Sequence, residues 1–399
     1  MYKKIFVPGY QLNSAIHGLV AIYLLNEMGL ETSGRIVAAM TIYLFISLVI
    51  TTYTAETFIR GFKQKFGGYK KRVRAILLEV IFILLSISLF LYSYFSTQQI
   101  EEILISTVPM FFAFGQISFN HLIQRDNYGY LSAAMILDSL FCLFVVITYA
   151  ESFPSLCFII LTFSKWIFIN MSSCLCLLNH LDFAMTKIIR RLNTLWNYRL
   201  LCIERPDSVH VVNLGLKYFW NTVDTLVVSY GWSDSAAGAY KLTKTLGGIP
   251  SLIFGAFWTV KRKLITSDWK SDKLSQKFKT ISKNAILFSL PMPLIILFSN
   301  NLLELINGTE FFSFDFQMPM LISLSIWWLV SSCFGWMRFF NLTQNYLNYS
   351  NIQTGFLCFL LITSPFFATF INPITFFPAI LLVTNFILIT FLSTKGKYA

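Results

Sequence analysis

The run Asn213-Leu-Gly-Leu-Lys217-Tyr-Phe-Trp-Asn221-Thr-Val-Asp224-Thr-Leu-Val-Val-Ser-Tyr-Gly231-Trp-Ser-Asp234-Ser-Ala-Ala-Gly238-Ala-Tyr240-Lys241-Leu-Thr-Lys244 decides how the chain folds. Two mostly apolar segments, about 209–230 and 236–260, flank a short Gly-Trp-Ser-Asp turn. Each has the length of a membrane-crossing helix, which needs roughly 20 predominantly apolar residues; a barrel strand needs roughly 9–11 alternating ones. Similar segments fall at 10–28, 36–58, 75–97, 102–120, 130–150, 154–178, 284–306, 317–337, 351–371 and 375–393. Together they predict twelve spans.

Composition agrees. Of 399 residues, 56% are hydrophobic and only 13% charged, and mean hydropathy is +0.63. Soluble domains carry about 25% charged residues, so a soluble enzyme, a disordered chain and a disulfide scaffold are excluded. The net charge of +12 suggests nucleic acid until its distribution is considered. With both termini inside and twelve spans, the inner loops and termini hold all Lys and Arg except Arg35, Lys165, Lys217, Lys241 and Lys244. That is the bias expected of cytoplasmic loops, and it removes nucleic acid as a partner. The first span follows Lys3 and Lys4 without a small-residue cleavage site and reads as an uncleaved anchor. The cysteines show no zinc or redox spacing and are expected to be free, buried thiols.

The organisation is in halves. Residues 1–180 form an N-terminal six-helix half and 208–399 a C-terminal one. Between them, 181–207 reads as a basic amphipathic cytoplasmic linker lying along the inner leaflet. The first outer hairpin, Leu25-Asn-Glu-Met-Gly29-Leu-Glu31-Thr-Ser-Gly34, resembles the fourth, Ser229-Tyr-Gly231-Trp-Ser-Asp234-Ser-Ala-Ala-Gly238. Each has a glycine turn, an acid, small residues, and a glycine opening the next helix. The expected architecture is all-α and polytopic: two six-helix halves related by pseudo-two-fold symmetry around a central cavity, as in transporters.

Charges inside spans point to the chemistry. Each costs roughly 2.5–3.5 kcal/mol at the bilayer centre on insertion scales, so it faces a cavity or a partner. Asn213, Lys217, Asn221 and Asp224 recur at helical spacing and predict one polar face on span seven. Lys241 and Lys244 lie one turn apart on span eight. Asn13 and His17 lie on span one, Glu79 on span three, Asp138 on span five and Lys165 on span six. One reading is a cationic lumen that binds an anion through Lys165, Lys217, Asn221, Lys241 and Lys244, with Asp138 and Asp224 as ion-coupling candidates. The other pairs Lys217 with Asp224 and Lys165 with Asp138 as packing devices. No metal site or cofactor is expected. No Walker or HExxH sequence occurs, and His121-Leu-Ile-Gln-Arg-Asp126 matches an acyltransferase pattern without a domain to support it.

The run Asp224 to Leu242, with Ala-Ala-Gly238-x-Tyr240 after a short outer turn, then Gly248-Ile-Pro250 and Lys261-Arg-Lys263, resembles the Wzx-like polysaccharide (O-antigen) flippases of the multidrug/oligosaccharidyl-lipid/polysaccharide (MOP) superfamily. Residues 29–60 are similar to that family's first hairpin and second helix. The resemblance implies a transporter rather than an enzyme. It would move undecaprenyl-diphosphate-linked oligosaccharide, an O-antigen or other surface-polysaccharide repeat unit, from the cytoplasmic to the periplasmic leaflet by alternating access. It also implies a place in lipopolysaccharide-type biosynthesis in a bacterial inner membrane, proton or sodium coupling, contact with membrane lipids, and other polysaccharide-assembly proteins as partners. Tyr218, Trp220 and Tyr240 become candidates for stacking on sugars. The competing readings are a small-molecule or drug exporter of the same superfamily, and a polysaccharide polymerase or other membrane enzyme of the same pathway. A lysine-rich interior disfavours export of cations, and the short outer loops disfavour the polymerase.

Overall fold

The computed structural model describes residues 2–63, 68–97, 99–125, 127–178, 208–248, 317–334 and 344–395. Every regular element among them is helical. In chain order these are α1 (Tyr2–Glu27), α2 (Leu30–Lys63), α3 (Gly68–Ser96), α4 (Ile100–Phe112), α5 (Gly115–Gln124), α6 (Tyr128–Tyr149), α7 (Pro154–Leu178) and α8 (Ser208–Tyr218). A π-turn over Phe219–Val223 leads into α9 (Asp224–Gly231), followed by α10 (Asp234–Gly247), α11 (Gln317–Phe334), α12 (Gln344–Thr363) and α13 (Pro373–Lys395). Among the described residues six stretches are long and apolar enough to cross a membrane, and Pro319–Ser331 and Pro373–Leu388 are shorter apolar helices. The chain is a multi-pass membrane protein. Each expected span has a described helix except 284–306, which lies outside the described residues, as do the linker 181–207 and the end of the span expected at 236–260. Large apolar side chains such as Leu84, Leu85, Leu140, Ile147 and Phe359 are exposed, as the lipid-facing side of a span requires.

The helices form two compact units. One contains Met1–His17 and Ala39–Tyr218; the other contains Gly18–Ala38 and Phe219–Ala399. The unit boundaries therefore cut through α1 and α2 rather than following chain order.

In the first unit α7 packs against α4, α5 and α6, and α3 against α4. The fourth expected span is not one helix. It breaks between α4 and α5 at Phe114, whose φ is +60°, after Pro109 inside α4. A break at membrane depth frees backbone groups that lipid cannot satisfy, and side chains take them up. The Phe114 N–H donates to Glu79 Oε2 at 3.0 Å, and Asn170 Nδ2 donates to the Ala113 carbonyl at 3.0 Å. The Thr54 hydroxyl holds the other oxygen of the fully buried Glu79. Gly115 is needed for space: a Cβ there would lie 2.7 Å from Trp166.

In the second unit the two similar outer hairpins meet. A Cβ on Gly34 would lie 1.8 Å from the Asp234 carbonyl oxygen, and one on Gly238 would lie 1.9 Å from that of Leu30. Leu30 opens α2 and Asp234 opens α10. The first turn of each helix thus seats its glycine on the first residue of the other, a local two-fold relation between the repeated motifs. Gly29, at φ +73°, makes the turn before α2. The Trp232 indole donates to the carbonyls of Ala368 and Ile371 at 3.1 and 2.9 Å, tying the α9–α10 turn to the segment before α13.

Candidate functional site

Apart from Glu79 at the helix break, each unit has among its described residues one buried carboxylate with its own set of partners. In the first unit this is Asp138 on α6, which is fully buried. His17 Nε2 lies 2.6 Å from its Oδ2. Asn13 Nδ2 donates to the same oxygen at 2.9 Å and to Ser139 Oγ at 3.0 Å. Ser164 on α7 donates to Oδ1 at 2.6 Å. Cys142 Sγ sits 3.2 Å from His17 Nε2. The helical spacing of Asn13 and His17, four residues apart, brings both to the same carboxylate. The amide oxygen of Asn13 is buried with no hydrogen-bond partner among the described residues. One donor atom each from His17, Asp138 and Cys142 lies within 4.8 Å of the others; these types suit a transition metal, although His17 and Asp138 already share a hydrogen bond. The paired reading of Lys165 with Asp138 is not realised. The Lys165 ammonium instead lies 4.1 Å over the Tyr10 ring, a cation–π contact.

In the second unit the carboxylate is Asp224, 1% exposed at the start of α9. It pairs with Lys244 rather than Lys217. The Tyr240 hydroxyl donates to Oδ2 at 2.6 Å and the Thr225 N–H to Oδ1 at 2.8 Å. Lys244 also donates to the Asn221 carbonyl oxygen at 2.8 Å. Its ammonium lies 5.8 and 5.5 Å from the ring centroids of Tyr240 and Trp327.

The expected continuous polar face is split, and a π-turn lies between Lys217 and Asp224. A π-turn closes over five residues instead of four and so rotates the later part of the helix relative to the earlier part. Lys217 and Asn221 are exposed, whereas Asn213 and Asp224 are buried. An exposed lysine or asparagine at membrane depth needs a polar surround. Lys165, Lys241 and Lys244 are half-buried. Two of the aromatic candidates for sugar stacking are corrected: Tyr240 is 0% and Trp220 3% exposed, and both pack against Phe377. Tyr218 is half-buried and shares a hydrogen bond of 2.9 Å with Thr52. Ser164, Cys142 and Trp327 escaped the sequence pattern because nothing in their own helices marks them. Cys174 is exposed, against the expectation for the thiols.

No family profile and no curated protein match the chain. Solved structures do. An "inward-facing conformation of a multidrug resistance MATE family transporter of the MOP superfamily" aligns with TM-score 0.62 at 11% identity, over 96% of this chain and 94% of that one. A MATE structure in complex with MaL6 aligns with TM-score 0.58 at 11% identity, over 99% and 97%. A MATE structure in a bent conformation gives 0.50 at 12% identity, over 100% and 96%. The fold is that of these transporters, and the twelve-helix, two-half arrangement expected from the sequence is consistent with it.

Proposed function

We propose that the chain is a flippase for a lipid-diphosphate-linked oligosaccharide, carrying it from the cytoplasmic to the periplasmic leaflet of a bacterial inner membrane by exposing its lysines to each side in turn. The MATE-like fold supports a transporter. The observation that carries the substrate class is the fate of the buried acids. Glu79 is used by Thr54 and the Phe114 amide, Asp138 by His17, Asn13 and Ser164, and Asp224 by Lys244 and Tyr240. Among the described residues Lys165 and Lys241 form no ion pair with a carboxylate. Two half-buried ammonium groups at membrane depth are costly unless an anion visits them, and a diphosphate is such an anion. Lys217 and Asn221, exposed on span seven, extend the polar surface. The sugar needs hydrogen-bonding groups of this kind, and the polyprenyl tail stays in lipid.

Asp138 is the proposed coupling site for a proton or sodium ion. His17 lies against its Oδ2, and the Asn13 amide oxygen, which has no hydrogen-bond partner among the described residues, can accept a cation or a donor. A second reading, export of a small molecule, draws support from the first fold neighbour, a multidrug resistance transporter.

Purified protein in vesicles carrying a polyprenyl-diphosphate oligosaccharide tests the proposal. Wild type should move the lipid between leaflets, and a Lys165→Ala/Lys241→Ala variant should be about 10- to 100-fold slower, since a hydrogen bond to a charged group is worth about 1.5–3 kcal/mol. Full transport by the double variant sinks the lysine assignment. Export of cationic dyes without lipid movement favours the second reading.

A further inference from the structure

The surroundings of Lys244 are those of a bound metal cation. Its ammonium is held by a carboxylate oxygen of Asp224 and by the Asn221 peptide carbonyl, and the hydroxyl of Tyr240 sits on the same carboxylate. The π-turn creates this arrangement. Asn221 lies inside it and Asp224 directly after it, so a carbonyl drawn out of regular α-helical bonding and a buried acid converge on one point. In transporters, carbonyls from unwound helices near the midplane coordinate alkali cations. Lys244 is about 15 Å along α10 from the outer turn at Asp234, at 1.5 Å per residue, close to the middle of a core roughly 30 Å thick. The rings of Tyr240 and Trp327 flank the ammonium, and ring faces attract cations of any kind.

We propose that Lys244 is a tethered cation: its ammonium occupies a monovalent-cation site formed by Asp224, the Asn221 carbonyl and Tyr240, so that this site takes no ion from solution in the native protein but accepts sodium when the ammonium is removed. Burial explains why the site is always filled. A carboxylate that is 1% exposed cannot stay ionised in an apolar surround without a counter-charge. A lysine on the neighbouring helix supplies that charge at high effective concentration. Lys241, which feels the charges of both Lys244 and Asp224, adds positive potential that further repels a free cation. The consequence is that ion specificity in this half is set by one side chain, and exchange with solution is left to the Asp138 site. The inference goes beyond the flippase reading without depending on the transported lipid, because its test reads cation binding alone.

The test is thermal unfolding of the full chain in detergent, with sodium chloride replaced stepwise by N-methylglucamine chloride at constant ionic strength. Wild type and Lys244→Arg should respond to sodium alike, any response they share coming from the Asp138 site rather than from Asp224. Lys244→Met should melt lower without sodium and recover with it, by about 5 °C at roughly 100-fold excess over its dissociation constant. Adding Asp224→Asn to Lys244→Met should abolish the response. If Lys244→Met alone does not fold, the double variant should, because the uncompensated carboxylate is gone. Sodium-specific stabilisation of wild type that Asp224→Asn removes would show that the site loads a free ion beside Lys244, and overturns the proposal. A folded Lys244→Met that ignores sodium overturns it equally, since a proton then fills the place.

Discussion

Asp138 and Asp224 pose the same physical problem in two units, a carboxylate buried at membrane depth, and meet it differently. Asp138 is faced by a histidine, an asparagine amide and a serine hydroxyl. Asp224 is faced by a lysine ammonium, a tyrosine hydroxyl and a backbone amide. An imidazole, an amide and a hydroxyl hold a carboxylate through hydrogen bonds, whereas an ammonium holds it as an ion pair. The first arrangement is a hydrogen-bonded cluster; the second is a charge pair. Two structurally similar demands need not carry the same function, and the identity of the counter-group separates them.

The largest effect expected is at Asp224. Replacing it with alanine leaves the half-buried Lys244 ammonium without its acid and should cost about 3 kcal/mol, seen as a large fall in melting temperature. Asp138→Ala should cost less, about 1–3 kcal/mol, because its partners His17, Asn13 and Ser164 hold it through hydrogen bonds rather than through a lysine ammonium. Equal losses at the two sites would break the comparison, and a greater loss at Asp138 would reverse it. Between these lies the seam where the repeated hairpins touch. Gly34→Ala and Gly238→Ala each push a methyl into a backbone carbonyl and should each cost about 1–3 kcal/mol, with similar values because the contacts are reciprocal. A clear difference between them would show that the local two-fold relation is superficial. The smallest effect is Ser164→Ala, which removes one of several donors to Asp138 and should cost about 1 kcal/mol.

Much of this was legible before any coordinates. The spans follow from hydropathy, because a membrane helix must be apolar along its length. Glu79, Asp138, Asp224 and the four lysines stand out as charges where charge is expensive. The similarity of residues 25–34 and 229–238 could be read, but that the two hairpins touch could not, since no periodicity reports contact between segments so far apart in sequence. Partner choice was hidden for the same reason: His17 and Ser164 reach Asp138 from other helices, and helical spacing within one span favoured Lys217 for Asp224. Asp224 instead pairs with Lys244 on α10, and the π-turn at Phe219–Val223 interrupts the regular spacing on which the Lys217 expectation rested. The break at Phe114 was equally silent, because Pro109 alone does not fix where a helix ends. Tyr240 looked like a surface for sugars, but its place among small residues on α10 made it core.

The most direct test of the transport assignment is deletion of the gene in its host, with extraction of lipid-linked intermediates and assay of surface polysaccharide. The flippase reading predicts loss of surface polymer, with complete repeat units accumulating on their lipid carrier at the cytoplasmic face and restoration by the wild-type gene. Unchanged polymer, with altered sensitivity to small toxic compounds, would contradict it and make the chain an exporter.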